Sequence, residues 1–501
     1  MRVADPSTMT THYCRLFGKR FCPHHTQSLY DLADNMQSDG KTPDDLSTFP
    51  SGLVYFGQFI DHDLTEDSTS LNENPYPEPN RTVNKRTARF DLDSVYGGGP
   101  EAYKGCPKED SIYEDIGSGA ERLRVDPTED DVAGGSSMPP IWADIPRRGD
   151  AKPAIPNTRN DENLIISQIH VLFLNLHNRL IDLLDRPKPL IPRGGPRETI
   201  FDTARRLVVW HYQWLILNDF LPKVVLDSVF RNLVCERSEP KLFRTYLGRS
   251  VALPVEFTMA AFRFGHSMPR DSYLLNQQMA PRLSDILNLE ARRLKTSQVI
   301  DWPRFVGGAR IRNDALNVAQ KINTTIARDL YALSDRLITL FAALRIAPGS
   351  SETFALPRRT LLRGSNVGLP SGQEACREAG IKSLKIDPDH RDYDVLRKGE
   401  MLDRTPLWYY ILYEAEIDKK AIWDPNETGE STEPGYRLGM LGSTIVAEVI
   451  LGVLLADRRS FFHHAWEPPP LPVRWGNSPG TKTIKSLRDL TEFIAFDSPL
   501  R

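Results

Sequence analysis

Cysteine is scarce: five in 501 residues, at Cys14, Cys22, Cys106, Cys235 and Cys376. None forms a C-x-x-C pair, so spacing offers no zinc ribbon and no dithiol redox centre. An odd count leaves at least one thiol unpaired within a chain; a Cys14–Cys22 bridge is sterically possible, and nothing demands it. A basic excess is also missing. The 63 Lys and Arg face 66 Asp and Glu, a net charge of −3, which argues against a nucleic-acid partner. The opening MRVADPSTMTTHY lacks the apolar stretch of a secretory signal, so the cytoplasm is the expected compartment. A bilayer span needs ~20 apolar residues. The most apolar late run, Ile445 to Ala456, is short and carries Glu448; it reads as a buried helix, and no integral membrane segment is expected. Internal repeats and low-complexity linkers are absent.

Hydrophobic residues make up 40% of the chain, enough to exclude wholesale disorder. The 38 prolines exceed the usual ~5% and, with 32 glycines, suggest short elements joined by rigid loops. The longest irregular tracts are Asn72–Asn84 and Gly134–Asn157. Length alone suggests about three domains at ~150 residues each, with one large α domain as the alternative. Helical periodicity dominates. Ile165, Ile169, Leu172, Phe173, Leu176, Leu180 and Leu184 share a stripe, with Asp161 and Glu162 at its start, where carboxylates suit the helix dipole. Further helices are expected over Ala204–Phe220, stopped by Leu221–Pro222, over Arg312–Arg345, over Thr405–Glu416 with Pro406 at its first position, and over Ser443–Ala456. Alternating strand patterns are few. The expected fold is mainly α, with long loops and little β-structure.

Four constellations could carry chemistry. In Gly57-Gln58-Phe59-Ile60-Asp61-His62-Asp63, a helix makes Gln58 and His62 i, i+4 neighbours, with Asp61 a step round. Apolar surroundings push a histidine's pKa down, so His62 could serve as a neutral base near pH 7; solvated acids at a helix end are the plainer alternative. In Ala261-Phe262-Arg263-Phe264-Gly265-His266, the glycine leaves room for a flat ligand beside the His266 ring, although a histidine bonded to a carbonyl in the core would look the same. Arg159 to Glu162 open the helix that carries His170 and His177. Thr87, Asp91 and Asp93 offer oxygens at positions 1, 5 and 7 of a loop that could close on a hard cation such as calcium, though the loop is too short for an EF-hand. Asp61, His62 and Asp63 could also ligate a hydrolytic metal if Glu162 or His170 joined them. His170, His177, His211, His463 and His464 are expected to be structural, and Trp408, Tyr409 and Tyr410 to be core.

Taken in order along the chain, these motifs, with Leu361-Leu362-Arg363-Gly364 as a fifth, resemble the animal-type haem peroxidases of the peroxidase–cyclooxygenase superfamily. The resemblance runs from about Tyr13 to about Phe493. It extends to Leu176-His177-Asn178-Arg179-Leu180, Gly368–Gln373 and Thr405–Leu412, and the compact ending suggests a bacterial-type or similarly minimal member. It implies a single haem peroxidase domain over 1–501, with 1–12 as a disordered tail, because residues from Gln58 to Arg363 must meet around one cofactor. The implied activity is reduction of hydrogen peroxide through an oxyferryl intermediate, with oxidation of small organic donors, halides or thiocyanate. By resemblance, His62 is the distal base, Arg159 stabilises the departing oxygen and Gln58 binds water or halide. His266 is the proximal ligand of haem b iron, and Arg263 and Arg363 pair the propionates. Asp61 and Glu162 match carboxylates that form ester links to haem. Asp63, Thr87, the carbonyl of Arg89, Asp91 and Asp93 match a Ca2+ site.

Two departures stand out. Thr360 takes the place of an Asn that often bonds the proximal histidine, and this bears on electron donation through His266. Asn163 follows Glu162, so the methionine–haem bond of the most oxidising member is excluded. That argues against chloride as donor and leaves bromide, iodide, thiocyanate and organic donors. A fatty-acid dioxygenase is the alternative enzyme, but Arg263 stands where its catalytic tyrosine belongs; Tyr273 would have to substitute. A haem-free or adhesive member is the non-catalytic alternative.

Overall fold

The computed structural model describes residues 11–40, 45–67, 77–130, 143–192, 195–245, 247–287, 292–308, 315–331, 355–417, 433–475 and 478–495. In chain order the principal elements are β1 (Thr11–Cys14), α1 (Thr26–Asn35), β2 (Leu46–Pro50), α2 (Ser51–Leu64), β3 (Val83–Asn84), α3 (Leu164–Leu184) and α4 (Ile200–Leu215). They continue with β4 (Leu253–Pro254), β5 (Val318–Gln320), α5 (Leu356–Val367), α6 (Gly372–Ala379), α7 (Leu407–Glu416), α8 (Met440–Ala456), the hairpin β6 (Pro470–Trp475) and β7 (Ser478–Thr483), and α9 (Leu487–Ala495). The fold is mainly α, as the periodicity implies. β1 sits between β3, antiparallel, and β4, parallel. Residues 1–10 of the expected tail lie outside the described residues, but Thr11 and His12 do not belong to a tail: they pair with Asn84 and Val83.

Capping explains where several helices begin. Asn163 accepts a hydrogen bond from the Ile166 amide at the start of α3, and Thr199 with Asp202 forms a capping box on α4, each removing orphan donors. Almost all of α3 is buried. It is the one described helix long and apolar enough to cross a membrane, yet 89% of that apolar window is packed inside the protein, as in a core helix. α2 lies on it through aromatic rings. Phe59 stacks on Phe173 at 5.3 Å, and Tyr212 of α4 meets Phe56, Phe59 and Phe173 edge-on. Such pairs add about 0.5–1.5 kcal/mol beyond the area they bury.

Two helix expectations fail. The helix expected to stop at Leu221–Pro222 runs through a π turn, Ile216–Phe220, into a short helix ending at Val224. Pro222 falls in the first turn of that new segment, where a missing amide hydrogen is tolerated. Of Arg312–Arg345, residues 312–314 and 332–345 lie outside the described residues, and the rest is not an α-helix. Val318–Gln320 is strand β5, antiparallel to β2, and Arg328–Tyr331 is a single 3-10 turn. Ile322, Ile326 and Leu330 are spaced by four and all buried, so they imitate a helix stripe while Ile326 bridges Gln37. Pro406 precedes the first turn of α7 as its N-cap rather than opening it. No disulfide forms: all five cysteines are free, and Cys14 Sγ donates to the carbonyl of Ala252.

The aromatic stripe of α7 is core, with Trp408, Tyr409 and Tyr410 buried. Gly372 opens α6 directly against Tyr410; a Cβ there would stand 1.9 Å from the Tyr410 ring. Gly372→Ala is therefore expected to lower stability by about 1–3 kcal/mol, the usual cost of overpacking, read as a reduced midpoint in urea unfolding. An unchanged midpoint would contradict this packing.

Candidate functional site

One cavity of about 370 Å³ lies among α2, α5, the 3-10 turn Thr158–Asp161 and the 3-10 helix Ala261–Ser267, a size typical of ligand sites. Its lining includes Gln58, Asp61, His62, Arg159, Glu162, Arg263, His266, Thr360 and Arg363. These nine residues are drawn from four separate segments of the chain. Asp63 does not join them.

His62 is buried, and burial first, then the charge of Arg159, pushes its pKa well below the ordinary histidine value. Nδ1 pairs with Asn160 Oδ1 at 3.0 Å, and Nε2 stands 3.6 Å from Glu162 Oε2. With the proton on Nδ1 donated to Asn160, Nε2 keeps its lone pair for the cavity. Asn160 in turn donates through Nδ2 to His170 Nδ1 at 3.0 Å. His170 is thus joined through Asn160 to His62. Asn157 donates to the carbonyl of His62 at 2.8 Å and accepts from Arg159 Nε at 3.2 Å. Arg159 donates to the carbonyls of His62 and Thr65, so its guanidinium is fixed at the end of α2.

Gln58 Nε2 donates to Glu162 Oε2 at 3.1 Å, and Gln58 Oε1 accepts from Asn163 at 3.4 Å. Burial, reinforced by the charge of Asp61, pushes Glu162 up to about 7. Asp61 is raised by burial against the opposing pull of Arg159 and Arg263, and accepts from Thr65 Oγ1 at 3.2 Å.

His266 lies across the chain from this group, on the 3-10 helix. Burial, with Arg263 nearby, pushes it down to about 3. Its ring meets Trp408 edge-on at 5.9 Å, and Trp408 Nε1 donates to the carbonyl of Arg263. Arg263 Nε donates to the carbonyl of Thr258. Arg363 pairs with Asp67 at 2.8 Å. Thr360 Oγ1 donates to the carbonyl of Leu356, one turn back on its own helix, at 2.9 Å. Arg359, unnoticed in the sequence, also lines the cavity; burial, then Arg363 and Arg263, pushes it down to about 10. Tyr273 is buried outside the cavity lining, its hydroxyl accepting from the Arg270 amide.

Behind α2 is a second centre. Asp63, Asp91 and Asp93 bring carboxylate oxygens within 4.8 Å of one another. Thr87 Oγ1 donates to Asp91 at 2.8 Å and the Thr87 amide to Asp93. Ala88 and Leu92, flanking Arg89 and Asp91, both take positive φ, a strain of about 1–3 kcal/mol each. Ser94, which sequence reading missed, donates to Asp63 through its amide and its hydroxyl, and the Leu92 amide donates to the other oxygen. Burial and then the charges of Asp93 and Asp91 push Asp63 well up; burial and Asp91 push Asp93 up to about 7. Three crowded acids are the donor set a hard divalent cation would relieve. Since Asp63 turns to this loop, Asp61, His62 and Asp63 do not converge as ligands of a hydrolytic metal.

The family model described as Animal haem peroxidase matches residues 68–349, more than half of the chain. The chain belongs to the animal haem peroxidase family. The match spans Arg159, Glu162, His266 and the Thr87–Asp93 loop, while the α2 residues and Thr360–Arg363 lie outside it. The chain is 27% identical to mouse thyroid peroxidase over 400 residues, which are 76% of this chain and 39% of that relative. It is 25% identical to a peroxidase-like protein of Margaritifera margaritifera over 283 residues, 47% of this chain and 33% of the relative. The chain thus spans well under half the length of these relatives. Among solved structures, peroxidase A of Dictyostelium discoideum superposes with TM-score 0.55 at 16% identity, covering 91% of this chain and 89% of that one. The fatty acid alpha-dioxygenase of Oryza sativa superposes with TM-score 0.56 at 13% identity, covering 92% and 77%. At these identities the likeness is one of fold.

His170 gives a test of the network around His62. Burial alone moves it from an ordinary 6.5 to about 3. The folded protein therefore binds fewer protons here than the unfolded chain, and the contribution is complete above pH 6.5 and lost as pH falls. His170→Gln should flatten the stability–pH curve below pH 6.5 by up to ~1.4 kcal/mol per pH unit, measured by denaturant unfolding at stepped pH. Parallel curves for the two proteins would remove the assignment.

Proposed function

We propose that this protein is a haem peroxidase that reduces hydrogen peroxide and oxidises a small organic donor, bromide, iodide or thiocyanate. The observation that carries this reading is His62: buried, its pKa pushed well below the ordinary histidine value, held at Nδ1 by Asn160, in a cavity whose lining also holds His266. The residues fit a haem. His266 offers a neutral imidazole, Arg263 and Arg363 offer planar forks for two propionates, and Phe220, Phe262 and Phe264 offer flat apolar surface. Haem b held there would supply redox chemistry at its iron.

His62 Nε2 accepts the proton of one peroxide oxygen and passes it to the other; Arg159 stabilises negative charge on the departing oxygen. Gln58 holds a water or a halide beside them. Asp61 and Glu162, both raised by burial, are the carboxyls proposed for ester links, and acid–acetone extraction that frees all the haem would refute those links. Asp63, Thr87, the Arg89 carbonyl, Asp91 and Asp93 form the Ca2+ site, tying the end of α2 to its loop. A continuous buried core reaching from Tyr13 to Ile494 supports a single domain. Fold and family assign no compartment. A dioxygenase would need a tyrosine where Arg263 stands, and Tyr273 is off the cavity lining, which favours the peroxidase reading.

A Soret band that shifts on adding peroxide separates the enzyme from an adhesive, haem-free protein. His266→Ala should abolish or displace that band. His62→Ala should retain it but react with peroxide roughly 100- to 10,000-fold more slowly in stopped flow; a normal rate would overturn the role of His62. Asp91→Ala should lose calcium from the purified protein, read by elemental analysis, and lower its melting temperature. Calcium retained in full would remove Asp91 from the site.

A further inference from the structure

Trp408 and Tyr409 are neighbours on α7, and they meet different surroundings. The Trp408 ring lies edge-on to His266 at 5.9 Å. Its Nε1 hydrogen goes to the carbonyl of Arg263 at 3.0 Å, an acceptor that takes no proton. Tyr409 is buried one residue further on, and its hydroxyl donates to Asp392 Oδ2 at 2.6 Å, the length of a charge-assisted O–H···O⁻ bond. Asp392 is buried too, its Oδ1 held by Asn35 Nδ2 and Arg391 Nε. The other two tyrosines of α7 are placed differently. Tyr410 accepts from the Leu384 amide and Tyr413 donates to the Lys385 carbonyl, and neither hydroxyl is bonded to a carboxylate among the described residues. Burial, then the charge of Asp392, pushes the Tyr409 phenol well above its ordinary value. Tyr409 therefore keeps its proton at neutral pH and can give up an electron only as that proton leaves. Asp392 lies in position to accept it.

Resting on the haem reading above, we propose that Tyr409 is an internal one-electron donor, joined to the His266 side of the cavity through Trp408, with Asp392 as the acceptor of its phenolic proton. Hydrogen peroxide takes up two electrons and two protons to leave as two waters. When no donor occupies the cavity, one of those electrons comes from Tyr409. Its O–H bond breaks, the proton passes to Asp392 Oδ2, and a neutral tyrosyl radical remains. A one-electron donor from solution later refills Tyr409, and Asp392 returns the proton. Trp408 passes the electron on without keeping the vacancy, because the Arg263 carbonyl leaves the Nε1 proton in place. The oxidising equivalent is held on one buried ring, away from the side chains that line the cavity.

The test uses the purified holoprotein, mixed with equimolar hydrogen peroxide in the absence of donor, frozen at once and read by electron paramagnetic resonance. A radical signal that narrows when the protein carries ring-deuterated tyrosine should appear. Tyr409→Phe, which keeps the ring in the core, should lose it. Asp392→Asn, which can accept the hydrogen bond but not the proton, should weaken it. Excess peroxide without donor should also bleach the Soret band faster in Tyr409→Phe than in the wild-type protein. No tyrosine signal in the wild type, a signal of full strength in either variant, or equal bleaching overturns the proposal. The Tyr409→Phe comparison decides the matter even where Asp392→Asn fails to fold. Absence of a Soret band from the wild-type protein would instead sink the haem reading itself.

Discussion

The setting of α2 on α3 is the constraint on which the rest depends. Phe56 and Phe59 are buried against Phe173 and Tyr212, and that contact fixes the helix's rotation. Once it is fixed, successive residues are sent to different places. Gln58, Asp61 and His62 face the cavity, and Asp63, the next residue, points back to the loop of Asp91 and Asp93. Gly57 lets Phe220 approach, since a Cβ there would lie 3.1 Å from that ring. Phe220 closes the π turn and itself lines the cavity, consistent with the frequent use of π turns at functional sites. A slight roll of α2 would uncouple both centres at once.

Polar density is concentrated in seven residues, Asn157 to Asn163. Asn157 holds the backbone end of α2 and the Arg159 side chain, Asn160 joins two histidines, and Asn163 caps α3 while touching Gln58. In a dry interior an unpaired polar group is expensive. Cross-bonding these groups to one another satisfies their donors and acceptors inside the fold. The same burial pushes the pKa of His62 down and that of Glu162 up.

Much of this was legible because helical spacing is local. Gln58 and His62 at i, i+4 follow from periodicity; the start of α3 does not, because Arg159 to Glu162, expected to open that helix, precede it, with the 3-10 turn Thr158–Asp161 and the Asn163 cap ahead of Leu164. Asn160, Asn157 and Ser94 were not legible, because their partners are 98, 95 and 31 residues away in sequence and asparagine or serine in a turn carries no signal beyond the turn itself. Arg359 was hidden for a similar reason: an arginine on a helix is usually solvent-facing, and only the packing of α5 turns it inward. The error over Val318–Leu330 has another origin. Ile322, Ile326 and Leu330 are buried at a spacing of four, which period alone cannot distinguish from an irregular segment threading the core. Pro222 misled because a π turn reset the helix just ahead of it.

The His62 and His266 sides of the cavity also differ in how their rigidity arises. At His62, orientation comes from a chain of hydrogen bonds running from His170 through Asn160, so the ring's tautomer is specified along with its position. At His266, orientation comes from packing: the ring meets Trp408, which is itself pinned through its indole nitrogen to the Arg263 carbonyl. Packing fixes where a ring lies but adds no charge to it, whereas a hydrogen bond does both. The ring of His266 is therefore fixed by contact and that of His62 by hydrogen bonding, although burial lowers the pKa of both.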